Sequence, residues 1–202
     1  MEAWLAIVIR QLTLYILPVV ISLSLVGAFE AWRAGGDHAS RPPFFPLAWK
    51  GSWLPLLASI AFTRALIIAL PRPKRHAPRA AAMRLLAHIL LCLVGWLMYA
   101  WTLGHQAPAG LPPLHHWWAK VFMFFNLCMA AMHMLPLPGM WVGEMLLASR
   151  YGARLRYYVR SRYNIWLYTL LAASPLLDLV VGTLAVFPVY QIMASAASRL
   201  AS

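Results

Sequence analysis

Four side chains in this chain have chemistry suited to a soft metal ion. His88 and Cys92 stand four residues apart, on one face of a helix, and Cys128 and His133 flank the corresponding depth of the next apolar run. Imidazole and thiolate bind copper or zinc, so a metal or redox centre is one reading. Packing between helices is the other, because His and Cys within apolar helices commonly hydrogen-bond or pack against neighbours. Arg64 in AFTRALIIAL and Asp178 in SPLLDLVVG are intramembrane charges, each costing roughly 2.5–3.5 kcal/mol if central and unpaired. An Arg64–Asp178 bridge that fixes helix packing is the expectation. A proton or ion relay would need a chain of acids, and a transporter would need a polar lining that the sequence mostly lacks.

The stretch Asn126 to Gly143, NLCMAAMHMLPLPGMWVG, carries the strongest local signal. Its Leu-Pro-Leu-Pro-Gly sequence must end or unwind a helix, since proline lacks the N–H and clashes with the preceding turn. Broken backbone at membrane depth persists only where protein or a water cavity satisfies the freed groups. The break therefore marks either a packed centre or a functional one. The methionines of FMFFNLCMAAMHM suit packing at an irregular helix interface, and His115-His116-Trp117-Trp118 reads as an interfacial anchor.

The elements that must position these residues follow from composition. Of 202 residues 62% are apolar and 11% charged, and the mean hydropathy is +0.69, whereas a soluble domain is roughly 45–50% apolar and about 25% charged. The excess apolar surface has no core to hide in and faces lipid. The expectation is an all-α membrane protein forming one polytopic domain over residues 1–202. About five segments are long enough to cross roughly 30 Å of hydrocarbon: Trp4–Phe29, Ser52–Leu70, Met83–Leu103, Trp117–Leu137 and Ile165–Ala194. Val26-Gly27-Ala28 could pass for a signal cleavage site, but the basic n-region of a signal peptide is missing and Arg10 interrupts the apolar run. The first segment is therefore read as a retained helix.

Seventeen basic residues against five acids give +12, and no groove-binding motif accompanies them, so nucleic acid is not an expected partner. Ten of the seventeen lie in two connectors: Arg72, Lys74, Arg75, Arg79 and Arg84, then Arg150, Arg154, Arg156, Arg160 and Arg162. Short basic connectors stay in the cytoplasm, and arginines near anionic headgroups gain about 1 kcal/mol each. Membrane lipids are the expected partners of most of this charge. Cys92 and Cys128 both lie in apolar runs and build no disulfide framework.

Asn126, Leu127, Ala130, Leu135, Pro136, Pro138 and Gly143 match, without a gap, the pattern N-L-x-x-A-x-x-N-L-L-P-x-P-P-L-D-G-G. The stretch thus resembles the third core helix of the site-2 protease family of intramembrane zinc metalloproteases. That family's HExxH helix and following Gly-Asp have a counterpart at Phe29-Glu30-Ala31-Trp32-Arg33 and Gly36-Asp37, and Ala87 to Cys92 stands where its A-G-P-x-x-N helix start would. Co-linear order over roughly Pro18 to Gly152 carries the resemblance. It implies a site-2-protease-like core in which the HExxH end of the helix faces the cytosol and Ser52–Leu70 dips in and out. Strict alternation of five spans implies the opposite, with Glu30 outside.

The departures bear on function. Zinc of this kind needs two histidines one turn apart plus a later carboxylate, with one position open for water. Those positions hold Phe29, Arg33 and Trp141, and the family's two asparagines read Cys92 and His133. Glu30 keeps the position of the general base with no metal-bound water to activate. The resemblance implies an inactive pseudoprotease without metal or cofactor: an accessory, scaffold or assembly subunit that binds a partner transmembrane helix or larger complex, while the Ala/Arg/Leu/Pro usage and the absence of a eukaryotic sorting motif fit a bacterial inner membrane. Asn126, Pro136, Pro138, Gly139 and Trp141 are the expected groove contacts, with Phe29 and Trp141 filling the former cavity. The competing expectation is a metalloprotease or redox protein with ligands relocated to His88, Cys92, Cys128 and His133.

Overall fold

The computed structural model describes residues 2–33, 53–69, 78–105, 111–149, 152 and 164–201. Among them every regular element is helical. Helix α1 (Glu2–Arg33) is apolar around most of its circumference. Val19, Leu23 and Val26 turn inward, while Leu5, Ile7, Ile9, Ile16, Ile21 and Leu25 form an exposed apolar face of the kind that lipid covers.

The second apolar segment is not one long helix among the described residues. Helix α2 (Trp53–Ala61) stops after nine residues. The chain turns through Thr63, at φ 50, and the turn is closed by N–H bonds from Thr63 to the Ile60 carbonyl and from Arg64 to that of Ser59. Residues 64–69 then return without helix, and Leu66, Ile67, Ile68 and Ala69 are buried in the main core. Within residues 53–69 the expected segment is thus a short helix with a buried return and not one continuous helix.

Helix α3 (Pro78–Gly104) begins on a proline, which the first helical turn accepts because its missing N–H would be unpaired there. It packs antiparallel to α4 (Leu114–His133), the interior helix, which also touches α1. A Cβ on Gly95 would lie 2.7 Å from the Met123 nitrogen and 2.9 Å from its Cα, so the two backbones cross where a small residue lets them approach. Met123, Met129 and Met132 are buried in this packing, as the methionine pattern suggested. Helix α5 (Trp141–Ala148) follows the break after α4.

The fifth expected segment divides at Ser174-Pro175. Helix α6 (Asn164–Ala173) packs on α2, and α7 (Asp178–Ala201) opens with a π-helical stretch, Asp178–Val186, before continuing as α-helix. Helix α7 runs beside α3. The Trp96 indole donates to the Met193 carbonyl at 2.7 Å, and Ala197 is buried in the cluster of Cys92, Tyr99, Ala119 and Met123.

Among the described residues three helices, α1, α3 and α7, are long and apolar enough to cross a membrane. Helix α4 has the length, 20 residues, but carries His115, His116, Lys120, Asn126 and His133, of which its neighbours bury His116, Asn126 and His133. Of the about five expected segments, three are thus matched by helices of that length and composition, and α4 lies between α1 and α3. Orientation within the bundle is set by one ion pair: Arg84 Nη1 lies 3.1 Å from Glu30 Oε1. The end of α1 and the beginning of α3 share a side, whereas strict alternation would place them about 30 Å apart.

Gly95→Ala tests the crossing. It is expected to lower unfolding stability in detergent by about 1–3 kcal/mol. Gly104→Ala, whose Cβ would meet nothing closer than 3.8 Å, is expected to stay within about 0.5 kcal/mol of the parent chain.

Candidate functional site at the break after α4

Residues 134–140 carry the chain from α4 into α5, and their own backbone supplies only part of the required pairing. Met134 and Leu135 donate back to Ala131 and Met132, Leu137 to Leu135, and Met140 to Leu137, at 2.8–3.0 Å. Gly139 adopts φ +81, a conformation that glycine takes without steric cost. Gly143 is equally constrained, since a Cβ there would lie 1.9 Å from the Leu137 carbonyl oxygen.

Side chains from four helices pair four further backbone groups. Glu144 of α5 accepts from the Gly139 N–H at 2.8 Å. Arg84 of α3 donates Nη2 to the Gly139 carbonyl at 2.8 Å. His133, the last residue of α4, accepts from the Trp141 N–H on Nδ1 at 3.2 Å, and the Tyr168 hydroxyl of α6 donates to the Pro138 carbonyl. Arg84 is 1% exposed, and its other terminal nitrogen holds Glu30.

A second polar chain lies alongside. His88 Nδ1 is 2.9 Å from Asn126 Oδ1, and Asn126 Nδ2 donates to the Ser22 hydroxyl and the Phe122 carbonyl, each at 2.8 Å. The His88 and His133 rings lie 5.8 Å apart, centre to centre. Ser22, His88, Asn126 and His133 are fully buried.

The structure thus brings together Glu30, Asn126, Pro138, Gly139 and Trp141 from separate parts of the sequence, and adds His88 and His133. It changes several assignments. Asn126 is an internal hydrogen-bonding residue and offers no surface to a partner. Trp141 contributes its backbone N–H here, and its side chain is partly exposed, as is that of Phe29; Pro136 is exposed. Arg33 closes α1, and its side chain and the Gly36-Asp37 pair lie outside the described residues. Arg84, read above as a connector charge, is instead buried at the centre.

The four-ligand set does not assemble. His88 and His133 are neighbours, but Cys92 packs with Tyr99, Ala119 and Met123 while Cys128 belongs to the main core with Phe125 and Met129. Among the described residues no three His, Cys, Asp or Glu side chains converge as a metal site. Nor do the residues at the positions compared with the family's zinc site suit a metal: Phe29 and Trp141 have no ligating atom, and Glu30 is paired with the Arg84 cation.

Arg64 and Asp178 meet each other's backbone surroundings and not each other. Asp178 accepts from the N–H groups of Ala65 at 3.2 Å and Leu66 at 2.8 Å, while Arg64 Nε donates at 2.7 Å to the carbonyl of Ala173, the last residue of α6. The expected direct bridge is replaced by two connections that satisfy the return segment and a helix end.

Ser22, Arg84, Glu144 and Tyr168 were not singled out from sequence. Arg84 stood one turn before His88, and Glu144 is the only acid of α5, which are the signals that could have found them. Comparison with protein-family models, with curated proteins and with solved structures yields no match for this chain.

Arg84→Met is expected to cost about 3–5 kcal/mol, because it leaves the Glu30 carboxylate without its partner. The double variant Glu30→Gln/Arg84→Met should be less destabilised than the sum of the single changes in denaturant unfolding. At the second site Asp178→Ala strands two N–H donors, at roughly 1–3 kcal/mol each, while Asp178→Asn retains an acceptor and should lose less on the same measurement.

Proposed function

We propose that this chain is a degenerate relative of the site-2 proteases that has exchanged catalysis for binding, acting as an accessory, scaffold or assembly subunit in a bacterial inner membrane. One observation carries the reading: the Arg84 guanidinium sits between the Glu30 carboxylate and the Gly139 carbonyl. In the family resembled, the helix bearing that Glu and the later Pro-rich stretch serve one zinc. Here the matching positions meet through an arginine, so the carboxylate that would activate water is engaged in an ion pair. Phe29 and Trp141 at ligand positions are consistent with the same exchange.

Of the basic residues in the connectors, Arg79 and Arg84 stand in the first turns of α3, at the end of the bundle where α1 finishes. By the charge bias of short loops that end belongs in the cytoplasm. The partner is proposed to be a transmembrane helix meeting the break at Pro136, Pro138, Gly139 and Trp141, where Met134 and Met145 add exposed, adaptable apolar surface. Lipid covers the outer faces of α1 and α7.

Purification of the full chain in mild detergent, with mass spectrometry of co-purifying proteins and elemental analysis of the same sample, tests the reading. A stoichiometric membrane-protein partner, with no zinc and no cleavage of a helical substrate, is the expected result. Stoichiometric zinc together with cleavage of a transmembrane helix would overturn it.

A further inference from the structure

The two central histidines are locked into different tautomers by their neighbours, and the difference defines a ligand. Asn126 Nδ2 points at the Phe122 carbonyl, which can only accept, so Asn126 presents its oxygen to His88. His88 Nδ1 must therefore carry a hydrogen, and in the neutral ring Nε2 is a bare lone pair. His133 Nδ1 accepts from the Trp141 N–H, so in the neutral ring its hydrogen is on Nε2. Neither Nε2 has a protein partner, and both are buried. Arg84 Nε, always an N–H, is likewise buried and unpartnered, one helical turn before His88.

The cluster thus offers two donors and one acceptor. We propose that His88, His133 and Arg84 form a binding site for one hydroxylic molecule, a single water, which accepts from His133 Nε2–H and Arg84 Nε–H and donates to His88 Nε2. A water making three bonds to otherwise unpartnered buried groups is the usual form of an internal water. The two rings lie side by side, 5.8 Å between centres, so one small molecule can lie within reach of both. The same pattern rejects a metal ion bridging the two rings, because coordination needs lone pairs on both Nε2 atoms and His133 supplies one only by surrendering the bond from Trp141. The inference does not depend on the chain being a degenerate protease.

The test is nitrogen NMR of the full chain, labelled at histidine and held in a lipid bilayer, combined with transfer of magnetisation from water. His88 is expected to show a protonated Nδ1 and a bare Nε2, His133 the reverse, and both Nε2 atoms should receive signal from water. Assignment uses His88→Asn and His133→Gln; if either fails to fold, the other five histidines are replaced by Gln instead. Bare Nε2 on both rings, or no transfer from water to either, would overturn the proposal. So would one zinc or copper ion per chain that is lost in both variants.

Discussion

The structure depends on keeping a broken backbone paired where little water is at hand. The Leu-Pro-Leu-Pro-Gly sequence cannot continue α4, and its carbonyl and N–H groups must find partners inside the protein. Glu144, Arg84, His133 and Tyr168 provide them from four helices. Each of those helices is thereby tied to the same few backbone atoms. Gly143 and Gly139 are small for the same reason, one lying under the Leu137 carbonyl and the other turning with positive φ. The Glu30–Arg84 pair then attaches α1 to the assembly and fixes which helix ends lie together.

The same constraint recurs at the return after α2. Extended backbone there is served by Asp178, and the end of α6 by Arg64. In both places charged groups within apolar surroundings are spent on satisfying backbone, a structural use that needs no proton path. In this bundle Arg64, Arg84, Glu144 and Asp178 all stand at breaks in the helices.

Much of the architecture was legible from apolar length alone. Helices α1, α3 and α4 lie where hydropathy placed them, and the proline break after His133 was plain from residue type. The failures have physical causes. Hydropathy measures length and not direction, so it could not show that the second segment turns back at Thr63 or that Pro175 divides the last. Arg84 looked like its neighbours in a basic connector, because one sequence does not reveal which positive charge turns inward. Histidine and cysteine spacing gave helix faces but not which faces meet, and His88 and His133 came together while Cys92 and Cys128 parted. The resemblance to site-2 proteases drew attention to Glu30 and the Asn126–Gly143 stretch, yet it named no residue that now links them.

What distinguishes a clamped centre from a loose, open one is the protection of the break itself. Amide hydrogen exchange of the protein in a bilayer, resolved at Gly139 and Trp141, measures this directly. Their N–H groups are bound by Glu144 and His133, so both should exchange as slowly as the amides of α4. Exchange at the rate of an unstructured peptide at these two positions, with α4 still protected, would contradict the account.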